Sequence, residues 1–207
     1  MLLFDCHEDK CYNQKIRNAK VKTVSDFYID PKIYKGRPDE KRSAKEEKVY
    51  DLLDELSIEY LRVDHSPADT IEDCKKVEQV IGVQICKNLF LTNRTKTCFY
   101  ILLMPASKAF KTSVVSKILG TSRLSFASEE YMKEFLDITP GSVSIMGLMN
   151  DKDKRVKLAV DRDIAESEYI RCHPCINTST LKIKKEDIFD KFLPFIQHEA
   201  IIIDIDS

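Results

Sequence analysis

The fold class this sequence predicts is a single mixed α/β domain, with a largely antiparallel sheet flanked by helices. Helical and alternating apolar patterns are interspersed from Ser43 onward, which sets the class. The run Cys98-Phe-Tyr-Ile-Leu-Leu-Met104 offers no polar face and therefore belongs to a strand buried on both sides. A length of 207 residues suits one core, since single cores stop growing only at roughly 250 residues.

The elements follow in order. Ser43 and Glu46 have the spacing of a capping box, and Val49, Leu52, Leu53 and Leu56 recur behind them at helical intervals. Ile58 to Val63 alternates as a half-buried strand does, and a second helix is expected from Thr70 to Ile81, ended by Gly82. Leu89-Phe-Leu91 and Cys98 to Met104, joined by the polar stretch Thr92 to Thr97, read as a hairpin. Helices are expected around Ser113 to Leu119, closed by Gly120, and from Ser128 to Leu136, where Glu129 and Glu130 suit the N-terminal dipole. Thr139-Pro-Gly141 breaks the chain. Val143 to Met149 and Val156 to Val160, turning at Asn150 to Lys154, are expected to form a second hairpin. Thr180 to Ile183, a helix near Glu186 to Phe192 and Ile201 to Ile205 complete the domain, which shows no internal repeat.

Residues 1–42 lack this regularity and read as an N-terminal extension, with the domain proper at 43–207. Between Lys10 and Lys48 stand twelve Lys or Arg against six acids, an excess of 12 − 6 = +6. That excess fits a solvated arm or an RNA-contacting one. Over the whole chain 33 basic and 34 acidic residues nearly cancel, so a polyanion must meet a local patch. The five glycines have the spacing of neither a dinucleotide fingerprint nor a phosphate-binding loop. Apolar runs such as Phe99 to Pro105 fall far short of the roughly 20 residues that span a bilayer. The opening Met-Leu-Leu-Phe meets Asp5, His7 and Glu8 too soon for a signal peptide, and seven cysteines are an odd number; a cytoplasmic protein with reduced thiols is expected.

Several constellations could carry chemistry. Cys172-His-Pro-Cys175 has the spacing of a redox pair, but the β-branched run after Cys175 predicts a strand where such pairs open a helix. Cys6-His7 with Cys11 lacks a second ligand pair, and Cys74, Cys86 and Cys98 stand singly, so no metal site is expected. His65 and His198 have no local partner and read as structural. No serine sits in a hydrolase elbow. Three pieces say more. Lys87-Asn88 places an ammonium at the mouth of the core, where it is stronger than in water. Thr139-Pro-Gly-Ser-Val-Ser144 lets backbone N–H groups turn toward a ligand. His173 with Asn177, Thr178 and Ser179 is a dense run of donors and acceptors.

Together these pieces resemble the YbaK/prolyl-tRNA-synthetase-associated family of aminoacyl-tRNA editing domains, in its freestanding ProX (PrdX) branch. The marks are Cys86-Lys-Asn-Leu-Phe-Leu91, Pro105-Ala-Ser-Lys-Ala-Phe-Lys111, Gly120-Thr-Ser-Arg-Leu-Ser-Phe-Ala127, Thr139-Pro-Gly-Ser-Val143, Asn150-Asp-Lys152 and His173-Pro-Cys-Ile-Asn-Thr-Ser-Thr180. The likeness covers about Ser43 to Ile205. One departure stands out, in that the family's Gly-x-x-x-Pro loop would place proline where Ile145 stands.

The resemblance implies hydrolysis of the ester joining a wrong small amino acid, alanine foremost, to proline tRNA. It implies Lys87, Gly141 and His173 as catalytic residues, with Asn88, Ser142, Val143, Cys172, Asn177 and Thr178 binding substrate. Lys87 would hold a carbonyl or terminal phosphate, N–H groups near Gly141 would polarise the ester, and His173 would position the adenosine or aminoacyl group. Cys172 would set pocket size. The chemistry implied needs no cofactor and no metal; the partners implied are aminoacyl-tRNA and prolyl-tRNA synthetase. A non-catalytic tRNA- or synthetase-binding module of the same fold is the rival reading, and a thiol oxidoreductase using Cys172 and Cys175 is the third.

Overall fold

The computed structural model describes residues 27–68 and 70–205. Among them the strands form two sheets where one was expected. β1 (Tyr34–Lys35), β2 (Tyr60–Asp64), β8 (Ser179–Lys184) and β7 (Tyr169–Cys172) make an antiparallel sheet in the order β1-β2-β8-β7. The other runs β5 (Leu124–Phe126), β3 (Cys86–Asn93), β4 (Phe99–Pro105), β6 (Val156–Asp161) and β9 (Ala200–Ile203). Its β5-β3-β4 pairs are antiparallel and its β4-β6-β9 pairs parallel.

The parallel pairing comes from a helix where a strand was expected. The second hairpin does not form, because Ile145–Asn150 is a 3₁₀ helix whose cap, the Ser144 hydroxyl, accepts from the Met146 N–H at 3.2 Å. Residues 145–148 are buried throughout, and a run with no polar face does not reveal whether it is strand or helix. Gly147 lets the helix pack closely there, since a Cβ would stand 3.2 Å from the Leu136 side chain. Without that hairpin β6 aligns on β4 in parallel, Ile101 opposite Leu158.

Helix α1 (Ala44–Glu55) begins at the expected capping box and buries Val49, Tyr50, Leu52 and Leu53. Helix α2 (Ile71–Ile81) is capped by Thr70 and stops at Gly82, whose φ of +67° is the left-handed conformation glycine adopts at low cost. Helices α3 (Thr112–Ile118) and α4 (Glu129–Leu136) follow as read. The short α5 (Arg162–Ala165) was not anticipated, nor were β1, β5 and β7. A helical stretch of Lys185–Asp187, a π-turn Ile188–Phe192 and Leu193–Phe195 leads to β9.

β4 is buried along its length, as its dense apolar run requires. Phe99, Ile101 and Leu103 join the main core with residues of β2, β7, β8, α1 and α4; Tyr100, Leu102 and Met104 join a smaller core with Val115 of α3 and Ile203 of β9. The expected extension is partly integrated. β1 pairs with β2, Ile29 bridges His65, and the Ser66 N–H donates to the Tyr28 carbonyl at 2.8 Å, so residues 27–42 pack on the domain instead of forming a free arm. Residues 1–26, with Cys6, His7 and Cys11, lie outside the described residues. No helix of the described residues is long and apolar enough to cross a membrane.

Candidate active site

Strand alternation sorts the residues at the start of β3. Cys86 and Phe90 pack into the main core, and Asn88, between them in the same phase, shares that face. The Asn88 amide nitrogen donates to the Cys86 carbonyl at 3.3 Å, and its Oδ1 is buried with no protein partner. Lys87 leaves from the opposite face, in phase with Leu89 and Leu91 of the smaller core. Its Nζ donates to the Lys108 carbonyl at 2.6 Å. No described carboxylate pairs with it, and partial burial lowers its pKa from the ordinary lysine value. Lys108 in turn is held by Asp161 at 2.8 Å and Asp163 at 3.0 Å.

Two loops meet on the other side. Thr139-Pro-Gly-Ser142 has the pattern of a type II turn, with proline second, Gly141 third at φ +87° and the Ser142 N–H donating to the Thr139 carbonyl at 3.0 Å. Ser142 is buried and its hydroxyl also donates to that carbonyl, at 2.8 Å, so it braces the turn and does not face a ligand. A Cβ on Gly141 would stand 3.3 Å from the Asn177 amide nitrogen. The Ser144 hydroxyl ties the loops together by donating to the His173 carbonyl at 2.6 Å. Ile145, where the family pattern has proline, opens the 3₁₀ helix, a position where proline's fixed φ is favourable; Ser144 supplies the cap there.

His173 closes its own loop. Its Nδ1 lies 2.7 Å from the Ser179 carbonyl, which can only accept, so Nδ1 carries the proton and Nε2 keeps a lone pair. Burial, with Arg171 and His65 nearby, drives its pKa down to about 4, so the ring is neutral at physiological pH. His65, read as structural from sequence, stands against it at 6.2 Å in an edge-on arrangement. The His65 backbone N–H donates to the Thr178 carbonyl at 2.9 Å, and its ring Nε2 accepts from the Thr180 hydroxyl at 2.9 Å. Two neighbouring histidine contacts to one loop identify it as a support of the site, which its position at the end of a predicted strand did not reveal.

The structure thus brings together Gly141, Val143, Cys172, His173, Asn177 and Thr178, with Asn88 on the sheet face toward them. Lys87 is adjacent in sequence but on the other face. Cys172 lies buried beneath the loops near Cys86 and Cys175. Burial pushes the Cys86 and Cys175 thiols up to about 12 and Cys172 higher still, which disfavours the thiolate an oxidoreductase needs. No cluster of three metal-ligating side chains occurs among the described residues. Two surface concavities lie elsewhere, of about 360 Å³ at the β3–β4 turn and about 510 Å³ beside α3.

Comparison with known proteins gives the family. The model of the aminoacyl-tRNA editing domain family matches residues 65–191. The chain is 31% identical over 136 residues to the prolyl-tRNA editing protein ProX of Acetoanaerobium sticklandii, covering 66% of this chain and 83% of that one. It is 28% identical over 159 residues to prolyl-tRNA synthetase associated domain-containing protein 1 of Danio rerio, covering 75% and 85%. A solved structure of a proposed trans-editing enzyme for prolyl-tRNA synthetase superposes with a TM-score of 0.59 at 12% identity, over 80% of this chain and all of that one, and shares the fold. A mixed α/β domain that matches this family model over most of its length is thus an editing domain. The chain belongs to the aminoacyl-tRNA editing domain family, of the YbaK/ProX type. It is an aminoacyl-tRNA deacylase.

Proposed function

We propose that this chain acts in trans on mischarged proline tRNA, removing alanine before other amino acids, in the cytoplasm where prolyl-tRNA synthetase makes the error. The observation that carries the reading is the apposition of the Gly141 turn to Asn177 within a loop latched by His173. The need is energetic, because a synthetase pocket built for proline discriminates by only about 1–3 kcal/mol per missing methylene, and a second sieve must remove what slips through.

In this mechanism the N–H groups of Gly141 and Val143 polarise the ester carbonyl, since that of Ser142 is engaged by the turn. Neutral His173 offers Nε2 as an acceptor for a water or the vicinal ribose hydroxyl, which brings the nucleophile to the carbonyl. Asn88 orients the substrate through its unpartnered Oδ1, with Thr178 and Asn177 on the opposite wall. Lys87, lacking a carboxylate partner, exchanges the Lys108 carbonyl for a terminal phosphate at the strand end. Cys172 and Val143 limit the room for the amino-acid side chain. The test is to offer the purified protein proline tRNA charged with alanine, cysteine, serine or proline and to measure ester loss. Fastest loss of alanine is expected; equal loss of all four, or none, overturns the reading.

A further inference from the structure

The far end of β3 carries a feature the editing site does not use. The concavity of about 360 Å³ there is lined by Asn93, Arg94, Lys96, Phe126, Ser128 and Tyr131 among others, none of them acidic. Neither Arg94 nor Lys96 forms an ion pair with a described carboxylate. The turn that presents them is rigid, because the Asn93 Oδ1 accepts from the N–H groups of Thr97 at 2.9 Å and Cys98 at 3.1 Å. Two aromatic rings complete the groove. Phe126 is 54% exposed on the short edge strand β5, an unusual place for a large apolar ring. Tyr131 is fixed by Phe99 at 4.8 Å and Phe135 at 5.5 Å, with the Lys96 ammonium 5.9 Å from its ring. Ser128, at the N-cap of α4, makes no side-chain cap bond.

We propose that this groove is a second RNA contact, in which an unpaired base stacks on Phe126 while the adjoining phosphate lies against Arg94 and Lys96. Paired cations without carboxylates suit a phosphate, and an exposed ring suits a base face of any sequence. Position supports the same ligand. From Asn88 to Asn93 β3 advances about 17 Å, a span that a few nucleotides cover, and α4 runs from the groove to the chain leading into the Gly141 turn. The proposal rests on the editing reading, since it takes the ligand to be the tRNA whose ester enters the site.

The test compares wild type, Phe126→Ala and the double variant Arg94→Ala/Lys96→Ala on two substrates: alanylated proline tRNA and the alanyl ester of the trinucleotide CCA. Binding of uncharged proline tRNA is measured alongside. Expected are a loss of about 10-fold in tRNA affinity and in kcat/KM on tRNA, carried by KM, with the trinucleotide ester cleaved at the wild-type rate. The double variant should also flatten the log-log salt dependence of tRNA binding by about 0.7 or more. Unchanged tRNA binding overturns the groove, as does an equal loss on both substrates. A wild type that binds tRNA through the groove but cleaves neither ester overturns the editing reading and leaves the groove standing.

Discussion

The two sheets bury their side chains on different terms. In the five-stranded sheet β4 is buried and apolar from Phe99 to Pro105, and its buried charge, Asp161, sits at the end of β6 against Lys108. The four-stranded sheet buries Arg62, His65, Arg171, Ser179 and Thr180. Arg62 pairs with Asp64 and lies 4.7 Å over the Tyr34 ring, Arg42 reaches Asp64 at 2.6 Å, and Arg171 donates to the Cys74 carbonyl at 3.2 Å. Apolar burial is non-directional and supplies stability; hydrogen bonds are directional and fix position. One sheet is thus a scaffold, and the other aims the loop 173–179.

That division can be broken at several points. Leu102→Ala in the scaffold should cost about 2–5 kcal/mol of stability through the cavity it leaves, while kcat measured below the melting transition stays unchanged. A change in kcat would show the scaffold and the site to be coupled. Lys87→Ala should lower kcat/KM on alanylated proline tRNA by about 100-fold, with a melting temperature close to wild type. Lys87→Arg should fare little better, since a planar guanidinium presents its donors differently. Normal turnover in Lys87→Ala would show that the ammonium only anchors Lys108.

His65→Ala should reduce kcat about 10-fold by releasing the Thr180 hydroxyl, and His65→Gln, which keeps an acceptor for that hydroxyl, should recover part of it. Equal kcat for both variants would remove His65 from the site. The smallest effect is in acid. Unfolded His173 binds a proton near pH 6.5, whereas the folded ring resists it down to about 4. The unfolded state therefore holds more protons between these values, and stability falls as the pH falls through that window. Melting temperature should be flat above pH 6.5 and decline toward pH 4, less steeply in His173→Gln; parallel curves would place the titration elsewhere.

Local signals were the legible ones. The capping box at Ser43 and Glu46, the stop at Gly82 and the hairpin of β3 and β4 depend on neighbours in sequence, and they stand as read. Ile145 to Leu148 did not, because its burial on all sides removes the periodicity that separates strand from helix. The loops of the site could be named from their residue types, yet their meeting depends on the Ser144 and Gly141 contacts across 29 and 36 positions of chain. That Lys87 and Asn88 point to opposite faces was available from strand alternation alone. His65 gave no signal, since its partners Thr178 and Thr180 lie more than a hundred residues away.

β1 is only two residues long, yet it occupies the outer side of β2. A strand edge left open presents a row of unpaired N–H and C=O groups, a template on which another chain can add itself. Seated there, Tyr34 and Lys35 close the edge nearest the polar network, with the Lys35 ammonium on Glu59 at 2.8 Å facing solvent. The segment that looked like a tail in the sequence is therefore a selvedge, a finished border along the β2 side of this sheet.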